Sequence, residues 1–427
     1  MRGQSNKVRR VLVWGVMAAL LGTPSFAAGF SIFEQGAKAM GLAGAFTGQA
    51  DDPSALFHNV GGLAFLDKQA FQVGVTLINV SESDFQGVEP FPGVGVTESV
   101  DTSIFTPAHF YWVRPIKDRI NFGLSFNSPF GLAVEWDNPE TFSGRFISTD
   151  AELVTFDISA NLGFQLTDNF GIGIGVIGRS SKVGLERFAP SVNPFNQTVF
   201  NAAFVDLESD LDFGVGFQIG ILHKVGTAFS WGLSYRSTID IDYSGDGRLT
   251  QISSGNPQLD AVVASRLPFD TRLPIETSIE FPDSANLGIS VGLTQNTRLN
   301  ADIIWTGWSS FDQIDLRFLT APELSTVIRE DWEDVYSYRL GLAYRSTKGR
   351  DWRFGYLRDE TPQPDASVGP LLPDANRSGF TFGVGLKHWD LSLMYLLFDQ
   401  RTSRTNDDGF FGTYDTEAVL LGGTYSF

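Results

Sequence analysis

The sequence predicts an all-β protein: a fourteen-stranded antiparallel transmembrane β-barrel with an N-terminal plug in its lumen. Three observations lead to this prediction. Long segments alternate apolar and polar residues, the number of such segments is even, and the connections between them are alternately short and long. An even strand number with short turns on one rim and long loops on the other is typical of single-chain outer-membrane barrels.

The N-terminus, residues 1–27, has the organisation of a cleaved signal peptide. Basic residues precede the apolar run VLVWGVMAALL (11–21), and Ser25-Phe26-Ala27 places small residues at the −3 and −1 positions. The apolar run is far shorter than the about 20 residues that a membrane-spanning helix needs. We therefore expect export, cleavage and a mature chain that starts at Ala28.

Alternation is clearest in AELVTFDISANLGFQL (151–166), where apolar residues from Val154 to Leu166 alternate with polar or small ones from Thr155 to Gln165. Its length exceeds the about 5–6 residues of an ordinary globular strand. The barrel is predicted over residues 67–427. The fourteen predicted strands lie near 69–81, 100–115, 119–128, 151–167, 170–187, 204–224, 228–243, 275–293, 297–318, 334–347, 351–360, 378–387, 389–400 and 415–427.

The connections support this assignment. The short ones are 115–118, 168–169, 225–227, 294–296 and 348–350. The long ones are 82–99, 129–150, 188–203, 244–274, 319–333, 361–377 and 401–414, and QLDAVVASRL within 244–274 has a helical pattern. The last strand ends on an aromatic residue, Phe427, as outer-membrane barrels commonly do.

Composition excludes several classes of function. The formal net charge of −18 at pH 7 disfavours electrostatic binding of nucleic acid. The absence of cysteine excludes disulfides and thiolate metal sites. The four histidines are scattered with no spacing typical of a catalytic triad, and GIGIGVIG (171–178) lies within a predicted strand rather than before a helix. We expect no enzyme activity, no cofactor and no metal.

Residues 28–66 do not fit the barrel pattern. They combine small residues with spaced apolar ones, and their glycine content argues against long regular structure. Because this apolar content favours burial and the lumen is the available place, the segment is predicted to be a plug.

Several segments resemble the FadL/TodX group, outer-membrane transporters for long-chain fatty acids and other hydrophobic compounds. They are AGFSIFEQGAKAMGLAGAFTG (28–48), NSPFGL (127–132), SGRF (143–146), 282–314 and 361–386. The resemblance covers nearly all of the mature chain and implies uptake without energy input. One departure is Asn59-Val60-Gly61-Gly62, where the family usually has Asn-Pro-Ala-Gly. Glycine in place of proline predicts a more flexible lower end of the plug.

The stretch RINFGLSFNSPFG (119–131) alternates cleanly and then stops at Asn127-Ser128-Pro129. A barrel strand needs about 9–11 residues, so the break falls within the wall or at its rim. Either the strand ends there and a loop begins, or the wall is kinked, in which case the freed backbone must face protein or a cavity. The resemblance favours an inward kink that opens a lateral gate, formed by Asn127, Ser128, Pro129, Phe130 and Gly131.

Apolar residues at inward positions suggest where a substrate binds. They are Ile304, Trp308, Met394, Leu396 and Phe398 in the wall, and Phe30, Ile32, Phe33 and Phe57 in the plug. Two interpretations remain at this stage: packing of plug on wall, or an apolar pocket for substrate. Arg179 faces inward by alternation. Lys182 lies where the resemblance places a basic residue ahead of Glu186-Arg187-Phe188, which suggests a partner for a carboxylate. Both are candidates.

The resulting hypothesis is uptake of hydrophobic small molecules, long-chain fatty acids or hydrocarbons, by binding and lateral diffusion through a gap at the kinked third strand. The expected surroundings are outer-membrane lipid and lipopolysaccharide, and the expected state is a monomer. The alternatives are a passive aqueous porin, from which a plugged apolar lumen would differ, and a surface adhesin or outer-membrane lipid hydrolase.

Overall fold

A computed structural model describes residues 29–101 and 104–427. The predicted signal peptide and Ala28 lie outside these residues. The strands, in chain order, are β1 (Ala70–Gly87), β2 (Thr97–Ser99), β3 (Ile104–Phe105), β4 (Ala108–Lys117), β5 (Ile120–Asn127), β6 (Gly131–Glu135), β7 (Asp150–Thr167), β8 (Phe170–Val192), β9 (Val199–Ser209), β10 (Asp212–Val225), β11 (Phe229–Arg236), β12 (Ile239–Gln251), β13 (Leu273–Phe281), β14 (Ser284–Gly292), β15 (Thr297–Thr306), β16 (Gln313–Phe318), β17 (Thr326–Arg329), β18 (Val335–Arg345), β19 (Asp351–Asp359), β20 (Arg377–Gly385), β21 (Trp389–Phe398), β22 (Arg401–Ser403) and β23 (Gly412–Ser426).

Helical structure is sparse. The α-helices are α1 (Ala37–Met40), α2 (Ala55–His58) and α3 (Pro257–Ala264), and 3₁₀ turns span Val60–Phe65, Trp308–Ser310 and Pro322–Leu324. Within the described part of the chain, no helix combines the length and the apolar character needed to cross a membrane.

Fourteen strands form a closed antiparallel wall, as predicted. In order around the barrel they are β1, β4, β5, β7, β8, β10, β11, β14, β15, β18, β19, β20, β21 and β23. The circle closes where β23 pairs with β1 over a long register from Gln72↔Ser426 to Gly87↔Gly412. Closure removes free strand edges, so every strand of the wall has a partner on both sides over most of its length.

The two faces of the wall are opposite in character to those of a soluble protein. On the outer face Ile158 is 63% exposed and Phe213 is 62% exposed, whereas the inward Asn161 is 1% exposed. An apolar outer face with a polar inner face suits a wall surrounded by lipid. The exposure of the side chains therefore supports the outer-membrane assignment, which the alternating pattern and the strand order also support.

The long connections contain more sheet than the sequence predicted. The predicted strand 204–224 is two strands, β9 and β10, and the predicted loop 188–203 is mostly the hairpin of β8 and β9. These strands continue to pair beyond the wall, because β9 joins β12 and β12 joins β13. The helical pattern in 244–274 forms α3, whose Asn256 side chain caps the backbone N–H groups of Gln258 and Leu259.

Residues 29–66, the plug segment, lie inside the barrel. Helix α1 packs against β20, β21 and β23, and the 3₁₀ turn Val60–Phe65 packs against β7, β8 and β10. The segment is joined to the wall by hydrogen bonds: the buried carboxylate of Asp302 accepts from the N–H groups of Phe46 (2.9 Å) and Thr47 (2.8 Å). Both bonds go to Oδ2, and such charge-assisted hydrogen bonds to a buried carboxylate hold the backbone strongly.

The Asn59-Val60-Gly61-Gly62 stretch, predicted to be loosely held, is buried and fully engaged. The Asn59 side chain accepts from Gly61 N (2.9 Å) and donates to the carbonyls of Thr47 and Ile221 (2.9 Å each). A Cβ on Gly61 would lie 2.7 Å from the Ile221 backbone, so glycine is needed for this close approach. These contacts take over the role that proline would play in restricting the chain.

Candidate functional site

The third wall strand is interrupted where the sequence predicted a break. Strand β5 ends at Asn127 and β6 begins at Gly131, and both pair with β7 on one side. On the other side, pairing with β4 stops at Phe110↔Phe126, and within the described residues the next bridge is Val100↔Trp136. Between these two points the described residues show no strand pairing across the wall, and we call this unpaired stretch the window.

Three residues of the plug segment satisfy backbone groups of the break. The Gln35 side chain donates to the Ser128 carbonyl (2.7 Å) and accepts from the Ser128 N–H (3.4 Å). Further along, Ile32 N donates to the Pro129 carbonyl at 2.8 Å, and the N–H of Gly131 donates to the Phe30 carbonyl at 3.1 Å. The kink is thus inward, towards the plug segment, as the resemblance implied.

The remaining backbone groups of the break are held by one side chain of β7. The Thr155 hydroxyl accepts from Phe130 N (3.0 Å) and donates to the Phe130 carbonyl (2.6 Å). Thr155 is fully buried. The hydroxyl replaces the neighbouring strand that the kink has displaced, so no polar group of Phe130 is left facing the apolar interior.

A cavity of about 500 Å³, the window cavity, lies at the window. Its lining includes the lumen-facing Leu396 and Leu420 and the outward-facing Phe126 and Phe156. Phe126 and Phe156 stack with their ring centroids 5.8 Å apart. The lining of the window cavity therefore includes residues from both faces of the wall.

A second, apolar cavity of about 110 Å³ lies nearer the long-loop rim, and we call it the outer pocket. Phe30, Leu153, Phe311 and Ile279 are among its lining. Its polar lining includes Glu330, to whose carboxylate Trp332 Nε1 donates at 3.0 Å. Glu330 precedes β18 in a loop outside the wall, and its burial raises its pKa to about 8.

Phe30 lines both the outer pocket and the window cavity. Its ring meets Trp308 edge-on at 4.6 Å and also contacts Phe311 and Trp332 at 5.5 Å each. It meets Phe130 of the break at 5.9 Å. The aromatic cluster thus holds the start of the plug segment against the kink.

A third, smaller cavity of about 30 Å³ lies beneath the break, and we call it the inner cavity. Ile32, Phe33, Phe57, Phe130 and Ile304 give it apolar walls. Polar side chains also line it: Thr47, His58, Ser234, Arg236, Ser284 and Asn286. Such a mixture of apolar walls and converging polar groups is typical of a ligand site.

The predicted substrate residues fall into two groups, those that line a cavity and those that do not. Phe30, Phe33, Phe57, Ile304 and Phe398 line one or more of the three cavities. Trp308 and Met394 line none of them. Trp308 supports the Phe30 ring, and Met394 packs with Met40 of the plug segment, which is the plug-to-wall packing left open at the sequence level.

The two predicted basic residues do not line the cavities either. Arg179 faces inward as alternation predicted, but its Nε and Nη2 are engaged with both oxygens of Asp157 at 2.8 and 2.9 Å. Its guanidinium lies between the rings of Phe130 (4.6 Å) and Phe281 (4.8 Å). The prediction for Lys182 was wrong: it lies on the opposite face of β8, half exposed, and pairs with Glu208.

The sequence did not single out Gln35, Thr155, His58 or Arg236 as members of the site. Arg236 carried a usable signal, because it shares the inward parity of Ser230 and Ser234. Gln35 and Thr155 carried no such signal, since each forms hydrogen bonds with backbone groups that are distant along the chain. The other three histidines lie apart from His58: His109 bonds Thr424, His223 bonds Trp231, and His388 lies beside the Ser426 carbonyl.

Comparison with known proteins identifies the family of the chain. The family model described as outer membrane protein transport protein (OMPP1/FadL/TodX) matches residues 18–427. The chain belongs to this family. It is an outer-membrane β-barrel of a family whose members transport fatty acids and other hydrophobic compounds.

Individual relatives agree with the family. The chain is 24% identical over 392 residues to the long-chain fatty acid transport protein of Escherichia coli O6:H1, covering 86% of this chain and 85% of the relative. It resembles the crystal structure of a Pseudomonas aeruginosa FadL homologue (TM-score 0.79, 21% identity, 94% and 99% of the two chains). It also resembles the Pseudomonas putida toluene transporter TodX (TM-score 0.67, 14% identity, 94% and 99%). These structural likenesses support the fold, and the relatives are named as transporters rather than enzymes.

Proposed function

We propose that this protein takes up hydrophobic small molecules across the outer membrane and releases them sideways into the bilayer through the window. The observation that carries the proposal is the window cavity, whose lining runs from Leu396 in the lumen to Phe156 on the lipid-facing side. A molecule in this cavity reaches lipid without passing the plug segment.

The route has a physical reason. Returning an apolar molecule to aqueous periplasm costs about 0.8 kcal/mol for each CH₂ group that water surrounds again. Exit into the bilayer avoids this cost, so uptake needs no energy source. The buried plug segment, by contrast, is tied to the wall by Asp302, Asn59 and other side chains and would have to be displaced for an exit below.

The outer pocket is the proposed entry site, since it lies nearer the long-loop rim and is largely apolar. The substrate class is drawn from the relatives, one named for long-chain fatty acids and another for toluene. Both classes are compatible with an apolar pocket that shares Phe30 with the window cavity.

Straightening the third strand tests the route. In the double variant Ser128→Thr, Pro129→Val the strand regains a backbone donor and β-branched side chains, so pairing is favoured across the window. We expect uptake of radiolabelled oleate and toluene by cells to fall to background, while both ligands still bind the purified barrel in maltoside detergent.

A matched control carries the same two changes in the exposed β8–β9 hairpin, Pro190→Val and Ser191→Thr, and should transport at the parental rate. If the straightened variant also transports at the parental rate, lateral release is wrong and the substrate leaves past the plug segment.

A further inference from the structure

The inner cavity has the features of a site for a charged head group rather than for an apolar body. We propose that it binds the carboxylate of a hydrophobic acid, with Arg236 as the paired cation, while the hydrocarbon tail extends into the window cavity. This inference rests on the proposed function, because it names the substrate class that the same pathway accepts.

Arg236 has no ion-pair partner of its own among the described residues. It ends β11 and forms no ion pair within residues 29–101 and 104–427; its Nη2 donates instead to the carbonyl of Phe57 at 3.1 Å, with a long contact to Gln218 at 3.5 Å. Its Nε is buried and has no hydrogen-bond partner. The guanidinium lies 4.5 Å above the ring of Phe57, which fixes its position at the cavity.

Two other buried atoms around the same cavity also lack partners, His58 Nε2 and Asn286 Oδ1. His58 is 96% buried, since its exposure is 4%, so water does not readily satisfy it. Buried polar groups are normally hydrogen-bonded, so the orphaned Arg236 Nε and His58 Nε2 point to an accepting ligand. The Asn286 Oδ1 atom is itself an acceptor and is not served by a carboxylate. A carboxylate takes hydrogen bonds from a guanidinium, an imidazole N–H and neighbouring hydroxyls such as Ser234.

The size of the cavity fits a head group. A water molecule needs at least about 10–15 Å³ by this measure, so about 30 Å³ holds roughly two waters, or a carboxylate in their place. The cavity shares Ser31, Ile32 and Phe130 with the window cavity. The Ser31↔Phe130 bridge lies between the two cavities, so a chain attached to the carboxylate reaches the window cavity by displacing this one pair.

Other arginines of the lumen differ from Arg236 in having a carboxylate partner. Arg179 pairs with Asp157, and Arg339 and Arg377 share Asp359. An incoming carboxylate would have to compete with a built-in one at each of these residues, whereas at Arg236 it replaces nothing but a carbonyl and an amide contact.

The test compares oleate with methyl oleate, an uncharged ester of the same chain, bound to the full-length barrel in maltoside detergent. In Arg236→Gln we expect oleate affinity to fall about 10- to 100-fold, the range for a lost charge-assisted hydrogen bond. Affinity for methyl oleate should change by less than about twofold, and Arg236→Lys should recover most of the loss. Arg298→Gln, which removes an arginine bonded to Ser290 near the short-turn rim, should bind both ligands as the parent does.

A second readout separates ligand contact from a structural role. Carbon-13 NMR of carboxyl-labelled oleate should show that the bound carboxyl stays ionised to lower pH in the parent than in Arg236→Gln. Equal losses for oleate and methyl oleate, or an unchanged carboxyl titration, overturn the inference. If the parent transports hydrocarbons through the window but Arg236→Gln binds oleate normally, the head-group site alone is wrong. If the parent binds and transports neither class, the proposed function fails with it.

Discussion

The Thr155 hydroxyl is the side-chain contact on which the kinked strand depends most directly. Replacing Thr155 with valine keeps the shape of the side chain and removes the hydroxyl, which accepts from Phe130 N at 3.0 Å and donates to the Phe130 carbonyl at 2.6 Å. Two buried backbone groups then lose their partner. Each unsatisfied group costs about 1–3 kcal/mol, so we expect the free energy of unfolding to fall by about 2–5 kcal/mol.

The assay is guanidinium unfolding of the barrel in phospholipid vesicles, followed by tryptophan fluorescence. Thr155→Ser keeps the hydroxyl and should lose less than about 1 kcal/mol, since it removes one methyl group. Thr381→Val removes another buried inward hydroxyl, which donates to the Gly41 carbonyl at 3.1 Å far from the window. It should be mildly destabilising, because a single ordinary hydrogen bond contributes about 1 kcal/mol, and should leave uptake unchanged.

Function provides an independent readout of the same change. A strand that cannot hold its kink relaxes towards pairing across the window, which recovers part of the lost stability but narrows the cavity. Uptake of oleate or toluene by Thr155→Val cells should therefore fall well below that of Thr155→Ser cells. The reasoning is refuted if the free energy of unfolding of Thr155→Val lies within about 0.5 kcal/mol of the parent value and the variant transports at the parental rate. A difference that small is less than the cost of one unsatisfied buried group.

Three further predictions concern the plug segment and the outer pocket. Deleting residues 28–60 should raise ion conductance in planar bilayers, because the segment is buried within the lumen; unchanged conductance would contradict its role as a plug. Gly61→Ala should lower the free energy of unfolding by about 1–3 kcal/mol through overpacking against the Ile221 backbone, whereas Gly184→Ala, whose Cβ would lie 3.9 Å from its nearest neighbours, should be nearly neutral. Since burial raises the pKa of Glu330 from 4.5 to about 8, the folded protein keeps a proton that the unfolded chain releases, and stability should fall as pH rises from about 5 to 8. A stability difference between the parent and Glu330→Gln that does not change over this pH range would contradict that assignment.

The wall could be predicted because alternation is a local property. In 151–166 the alternation of apolar and polar residues predicts which side chains face lipid and which face the lumen. The structure has β7 over the same stretch. The break at Pro129 was also local, since a residue without an N–H ends a ladder wherever it occurs. The outer part of the β8–β9 hairpin, within 188–203, was predicted to be a loop because pairing above the membrane needs no alternating apolar face.

The site was less predictable because its contacts join distant parts of the chain. Alternation placed Arg179 inward correctly, yet it could not show that Asp157, on the neighbouring strand, neutralises it. For Lys182 the resemblance pointed inward while alternation pointed outward, and the residue-level pattern was the better guide. Arg236 was overlooked since nothing in its local sequence shows that it lacks an anion.

The sequence by itself determined the strand number, the closed antiparallel wall, the lipid-facing side of each strand and the position of the break, because a two-residue period and a missing N–H act on neighbours along the chain. The tertiary structure decided which residues meet at the break and how its backbone groups are hydrogen-bonded. Closure of the barrel fixes the axial register of each strand, and register sets Thr155 beside Phe130, Gln35 beside Ser128 and His58 beside Arg236. Those pairs are separated by 25, 93 and 178 positions in the numbering, too far for any local pattern to record them.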